Sequence, residues 1–377
     1  MTKINQIQLE RIVKLLKKCS FVTRQKTEGA FSNYSFGPAG VLTARNLSQL
    51  LWNSLVTSQV DTYPVEDPCL LSSGDSVKLR RNLSKGTLEH LPDILQLVNY
   101  TLPFAIVQRG IVSPKTLPDK WENKFLFDSN IQTSIVLQYF CTPGSTLQSF
   151  DQWIQHRLQW WRKYASNPSN ITSTEIETLD EDTSRAYIQC RFPWGPDHVE
   201  EITNRGSKPV IRLQEKMNGD LQCKNGKKSI IPHVIECNII LEHCLMSSLS
   251  DAFTEYVVKK GNKSAVSEKL NLHAKVAPFK LSVVSCSKSR ANEIQEVASY
   301  INKDLRAAGI DVFQARDSLS ADEQFQRNDM MGIPYTVILN EDTLESGVLQ
   351  LRNKDTTLME KIHLIQLKEI ILKNINF

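Results

Sequence analysis

Nowhere in these 377 residues does an apolar run approach the eighteen or more that a bilayer-crossing helix needs. A helical membrane span is thereby excluded, and a soluble protein is expected. The eight cysteines include no close C-x-x-C pair, and no secretory leader precedes them. Reduced thiols are therefore expected rather than a disulfide framework or a zinc site. His90, His156, His198, His233, His243, His273 and His363 are scattered without metal-ligand spacing. The run Gly261-Asn262-Lys263-Ser264 lacks the upstream glycine of a P-loop. Asp151 reads as a helix-start residue and 180–182 as a solvated acidic loop, not as a catalytic pair. No cofactor and no metal are expected. The net charge of +4 hints at affinity for polyanions but falls far short of an RNA-coating protein.

What is present suits an ordinary globular chain of two or three domains, with 41% apolar residues. Near the start, Ile4, Ile7, Ile12, Leu15 and Leu16 share a helical pattern with Lys3, Arg11, Lys14, Lys17 and Lys18. That is the pattern of a mitochondrial presequence, and equally of a structural amphipathic helix. Residues 149–165 predict a helix with Ile154, Leu158, Trp161 and Ala165 facing the core. His156, Trp160 and Lys163 flank that stripe, with Arg157 and Arg162 nearby, which reads as an aromatic-rich core helix with solvated basic ends, a nucleic-acid platform being the alternative. Residues 166–184 read as a surface loop. Asn218-Gly219 and Asn225-Gly226 predict hairpin turns joining strands at 210–216, 221–224 and 229–236, followed by a helix over 239–253. Residues 259–275 read as a lysine-rich linker. Beyond Pro278, strands at 280–285, 310–314, 335–339, 348–351 and 359–364 alternate with helices at 292–308, 321–331 and 367–375. That alternation predicts an α/β unit with a mixed sheet.

Several segments carry a resemblance. Residues 9–22 and 34–40 (YSFGPAG) resemble the opening helix and first motif of glycyl-tRNA synthetases, and 46–56 the helix that follows. LPFAIVQRG at 102–110, HRLQWWRKYASNPSN at 156–170, RFPWG at 191–195 and the run 332–357 follow in the same order. The last three match one group better than any working synthetase. The chain is identified as resembling the accessory (processivity) subunits of mitochondrial DNA polymerase gamma, which are related to class II glycyl-tRNA synthetases. The resemblance implies an α+β fold. Residues 1–272 would form a class II synthetase-like antiparallel-sheet domain, and 273–377 an anticodon-binding-like domain with a mixed sheet. It also makes 9–22 a structural helix.

Against the synthetase pattern the chemistry is missing. The motif E-P-S-x-G-x-x-R falls on 236–243, where Glu236 survives, Ile240 replaces the glycine and His243 the arginine. A β-branched side chain fills space that an adenine ring would need. A largely neutral imidazole cannot replace a guanidinium fork on a triphosphate. The R-x-E expected after residue 110 is absent from 111–130. Each lost charge-assisted hydrogen bond is worth roughly 1.5–3 kcal/mol, so several such losses weaken transition-state binding by powers of ten. Residues 199–206 (VEEITNRG) resemble the amino-acid-recognition segment and keep Arg205.

The resemblance thus implies a non-enzymatic protein in the mitochondrial matrix and nucleoid. It would bind the polymerase catalytic subunit one-to-one, being monomeric when free, and would raise affinity for primer-template or double-stranded DNA. Residues 63–78 leave no room for the helical insert through which vertebrate-type relatives dimerise. Two alternatives stand beside this: a tRNA- or RNA-binding regulator on the same fold, and an active glycyl-tRNA synthetase. Candidate partner contacts are Leu344, Gly347, Leu349 and Leu351, with core leucines and a turn glycine as the structural alternative. Candidate DNA contacts are Arg80, Arg81, Lys85, Arg162, Lys163, Lys224, Lys227 and Lys228, with solubilising charge as theirs.

Overall fold

The computed structural model describes residues 3–28, 31–73, 76–113, 129, 131–226, 228–260, 263–286, 290–314 and 319–376. At its centre lies an eight-stranded sheet. Its strands run in the order Thr62–Val65, Phe104–Val112, Gln132–Cys141, His233–Ile240, Gly195–Asn204, Ser184–Phe192 and Ile171–Ser173, with Glu177–Thr178 beside Ser184–Phe192. All pairings are antiparallel except that of Thr62–Val65 with Phe104–Val112. Strand alternation sends Ala105, Val107, Ile135, Leu137, Ile235, Cys237 and Ile239 to one face. There they join a core with the helices Pro38–Trp52, Thr146–Tyr164 and Leu241–Ala252. Phe104, Ile106, Phe140 and Val234 point the other way, under Ser84–Glu89, Leu91–Leu97 and Lys208–Met217.

A second, five-stranded sheet has the order Val312–Gln314, Leu281–Ser285, Tyr335–Leu339, Val348–Asn353, Met359–His363. The first three strands are parallel and the last two antiparallel, so the sheet is mixed, as the alternation predicts. Ala291–Ala307 and Leu364–Asn376 cover one face through Ile294, Ile301, Leu367 and Ile371. Ser320 and Glu323 form a reciprocal capping box that starts the helix Ala321–Met330. Met330, Met331 and Ile333 leave this unit and enter the core of the central sheet. Arg45 pairs with Asp311 across the same junction, and Asn46 Nδ2 donates to Ala277 O at 2.8 Å. Together these elements make an α+β fold.

Three expectations need correction. Residues 210–216 are not a strand: Lys208–Met217 is a helix, with Pro209 in its first turn and Asn218 in the left-handed conformation (φ 50°) as its C-cap. Asn218-Gly219 therefore stops a helix instead of turning a hairpin. Residues 259–275 are not simply a linker, since Phe253–Lys260 and Lys263–Leu270 pair as an antiparallel ribbon. Within 166–184, Ile171–Ser173 and Glu177–Thr178 extend the central sheet. The first helix, Lys3–Lys18, buries Ile12, Leu15 and Leu16, so the amphipathic stretch has a structural role.

Candidate ligand site on the central sheet

The second face of the central sheet turns polar in its middle. Glu236 stands opposite Gln138 on one neighbour and Thr203 on the other, so the three share that face. The Glu236 side chain is only 3% exposed. Its carboxylate accepts from Ser84 Oγ at 2.9 Å, Gln138 Nε2 at 2.8 Å and Arg205 Nη2 at 2.6 Å. Gln138 Nε2 also donates to Ser84 O at 2.8 Å, which ties the Ser84–Glu89 helix down onto the sheet. A buried carboxylate is costly unless paired and hydrogen-bonded, and here the chain supplies all three donors itself.

Above this cluster opens a pocket of about 520 Å3 whose walls include Lys85, Arg205, Lys208, Arg212 and Lys216. Much of that basic charge is already matched. Lys208 pairs with Asp180 at 2.5 Å and Lys216 with Glu89 at 2.7 Å. The Lys208 hydrogen bond, helped by the Asp182 backbone N–H, draws the Asp180 carboxyl down to about 2. With Arg205 on Glu236, three of the five cations pair with the pocket's own carboxylates, and Lys85 and Arg212 carry its remaining positive charge.

Ile240 lies on this same face, two residues beyond Asn238, whose Oδ1 accepts from Ser134 Oγ at 3.0 Å. Ile240 is also the N-cap of Leu241–Ala252, without a side-chain cap bond. The first turn of that helix carries Glu242, whose oxygens accept the Thr133 N–H at 3.1 and 2.9 Å. Burial raises the Glu242 carboxyl, with the Thr133 hydrogen bonds acting against it. A carboxylate already sits where a helix N-terminus would favour a phosphate. His243, half-buried in the same turn, supplies no permanent charge. Residues 114–128 and 130, most of the region where R-x-E is missing, lie outside the described residues.

The candidate DNA contacts do not form one track. Arg80 is largely buried, pairs with Asp67 and donates Nε to Pro68 O at 2.7 Å, which makes it a brace and removes it from the list. Arg81, Lys85, Lys224 and Lys228 are exposed on elements covering the second face. Arg162 and Lys163, also exposed, belong to the Thr146–Tyr164 helix on the opposite face. Lys227 lies outside the described residues. Arg157, beside the flanking stripe, is fully buried against Glu200. Trp160, expected beside the core stripe, is buried as well.

Among the partner candidates, Leu349 and Leu351 face the core of the second sheet and cannot meet a partner. Leu344 is half-buried against that core. Gly347 caps Glu341–Ser346 at φ 70°, where a Cβ would come within 2.8 Å of His363 Nε2, so glycine is needed there. Sequence reasoning overlooked Ser84 and Gln138. Gln138 is a polar residue at an inward position of an apolar strand, which is a usable signal; nothing local marks Ser84.

A central sheet with a self-satisfied acidic cluster, joined to a smaller mixed sheet, is the arrangement to be matched. Residues 280–374 match the anticodon binding domain family, so the smaller unit has that fold. The whole chain is similar to DNA polymerase subunit gamma-2. Identity is 29% to the mitochondrial protein of Xenopus laevis, over 91% of this chain and 81% of that one. To the Bos taurus protein it is 26%, over 97% of this chain and 85% of the relative. The glycine–tRNA ligase of Deinococcus radiodurans is 25% identical over 77% of this chain and 62% of the ligase.

Proposed function

We propose that this chain is a non-catalytic accessory subunit of mitochondrial DNA polymerase gamma. It would bind the catalytic subunit one-to-one and raise its grip on DNA and its processivity. The observation that carries this reading is the combination of near-complete similarity to subunit gamma-2 proteins with a Glu236 carboxylate saturated by Ser84, Gln138 and Arg205. On this reading residues 1–272 are a degenerate class II synthetase-like domain and 273–377 the anticodon-binding-like one. The name of the Xenopus relative supports a mitochondrial location, and on this reading the protein works in the matrix, at the nucleoid. Glu236, Ile240 and His243 mark the vacated chemistry. The corner around Leu344 and Gly347, not the strand after it, is the part of the smaller unit proposed for the partner.

The test is reconstitution with the catalytic subunit. A complex with the mass of one copy of each is expected, together with longer products per binding event at moderate salt. A complex of other stoichiometry, or unchanged product length, counts against the proposal. The anticodon-binding match favours one other reading, a tRNA-binding regulator. Recovery of tRNA instead of polymerase from mitochondrial extract would select it.

Adenylation is expected to be absent. With Ile240 on the sheet face and Glu242 holding the helix start, ATP–pyrophosphate exchange with glycine should stay at background. Exchange at the rate of a working synthetase would overturn the non-catalytic assignment.

Contact with duplex DNA is expected to be sequence-independent and salt-sensitive, because lysine–phosphate contacts release counterions. Lys228 starts the second strand of a short hairpin, Cys223–Asn225 with Lys228–Ile230, and Lys227 precedes it. Changing Lys227 and Lys228 to Ala should weaken binding equally on unrelated sequences and shallow the salt slope by about one to two units. An unchanged slope removes the hairpin from the DNA surface.

A further inference from the structure

The pocket above Glu236 keeps a charge imbalance that its own residues do not settle. Both helices over the sheet, Ser84–Glu89 and Lys208–Met217, contribute to its walls, and three carboxylates, Glu89, Asp180 and Glu236, reach them. Each has a cation of its own: Lys216, Lys208 and Arg205 in turn. These pairings hold at neutral pH. The Lys216 hydrogen bond draws the Glu89 carboxyl down against the effect of burial, with Lys85 pulling the same way. The Lys208 hydrogen bond holds Asp180 at about 2.

Lys85 and Arg212 are left over. Neither makes an ion pair or a side-chain hydrogen bond among the described residues. Each stands one turn before the Glu89–Lys216 pair on its own helix, Lys85 on Ser84–Glu89 and Arg212 on Lys208–Met217. Two uncompensated positive charges therefore reach one cavity of about 520 Å3 from two different helices. A recess with a surplus of one sign focuses its field and concentrates the opposite charge.

The floor leaves one acceptor unanswered. Gln138 is 2% exposed, and its Nε2 donates to both Glu236 Oε2 and Ser84 O, which fixes the orientation of the amide. Its Oε1, buried as well, has no donor among the described residues. Buried acceptors without a donor are rare and call for a water or a ligand group. Two cations on separate helices ask for two separate negative charges, which a dicarboxylate has and a single phosphate group does not. The Arg212 fork matches the edge of one carboxylate, and the Lys85 ammonium makes a point contact with the other. We infer that this pocket binds a small hydroxy-dicarboxylate, its carboxylates on Arg212 and Lys85 and its hydroxyl donating to Gln138 Oε1, directly or through one water. Glu236, already saturated, takes no part in holding it. The inference goes beyond the accessory-subunit reading and needs no polymerase. Lys85 is also a candidate DNA contact in that reading, so the test rests on Arg212, which is not.

The experiment uses the full chain at constant ionic strength, with malate, succinate, acetate, inorganic phosphate and a short DNA duplex as probes. Malate should bind saturably by calorimetry and raise the melting temperature. Succinate, which lacks the hydroxyl, should bind roughly two- to tenfold more weakly, and acetate and phosphate should have little effect. Arg212→Gln should weaken malate binding by roughly tenfold or more, the effect of losing a charge-assisted hydrogen bond. Arg212→Lys, which keeps the charge and loses the fork, should recover part of that loss. Arg212 is exposed, so neither variant should change the melting temperature without ligand. Malate binding untouched by Arg212→Gln, or acetate acting as well as malate, would overturn the site. Succinate binding as tightly as malate would overturn the Gln138 contact. Phosphate binding that depends on Arg212, with no binding of malate, would overturn the dicarboxylate assignment. Duplex affinity that falls with Arg212→Gln and resists competition by malate would assign both cations to a DNA surface and sink the inference. Reconstitution with the polymerase is scored separately, so failure of one proposal does not mimic failure of the other.

Discussion

Replacing Lys280 by methionine is expected to lower stability by about 3 kcal/mol, because three carbonyl oxygens, one buried and two partly buried, lose their donor at once. Lys280 Nζ donates to Ala274 O at 2.9 Å, Lys275 O at 2.8 Å and Ala277 O at 2.8 Å. These oxygens belong to the turn that carries the chain from the central core into the smaller sheet. Methionine keeps the stem volume and removes only the donors, so the loss reads the hydrogen bonds and not a cavity. Burial pulls the ammonium down to about 7, Asp311 opposes, and Arg45 adds to the lowering. The unfolded chain titrates as an ordinary lysine, near 10.5. Between these values the unfolded state binds more protons, so this group makes stability rise with pH. Below about 7 both states are protonated and the slope vanishes. Urea unfolding of Lys280→Met should show both the loss and a flatter pH response from 7 to 9. A loss under about 1 kcal/mol would mean that the turn closes without its clamp.

The second large effect belongs to a charge pair sealed in the main core. Arg157 and Glu200 have fully buried side chains, and Arg157 Nε donates to Glu200 Oε1 at 2.7 Å. Trp161 Nε1 donates to the other oxygen at 2.6 Å, and the guanidinium lies 4.9 Å from the centre of the Trp160 ring. Glu200→Gln leaves a buried cation without its counter-charge and is expected to cost about 3–5 kcal/mol, with Arg157→Met costing a similar amount. The two together should lose much less than the sum, because the pair carries a desolvation cost that disappears with it. A double-mutant cycle by chemical denaturation checks this; additive losses would show that the two residues act separately.

These two sites also mark where the sequence stops being informative. The alternation after Pro278 translates into strands and helices with small boundary shifts, because its apolar positions recur at the period of each element. Ile154, Leu158 and Trp161 are buried for the same reason. Arg157 is not legible that way. Its burial depends on Glu200, on a strand 43 positions away in sequence, which no local period reports. Lys208–Met217 was misread because an Asn-Gly pair serves a helix C-cap as well as a hairpin, and Pro209 two positions into the segment was the cue that decided otherwise. At the candidate site, Glu236 and Ile240 were legible through the motif they deform. Ser84 was not, since it reaches the carboxylate only after its helix folds over the sheet.

Met330, Met331 and Ile333 anchor the smaller sheet inside the core of the larger one. The junction is therefore welded instead of jointed. A load applied to one sheet is felt by the other without a swivel to absorb it, so the pair behaves as a bracket of fixed angle. Cutting the chain at Pro278 would tear hydrophobic side chains out of the part left behind. Such a truncation would report the damage to that core before it reported anything about docking.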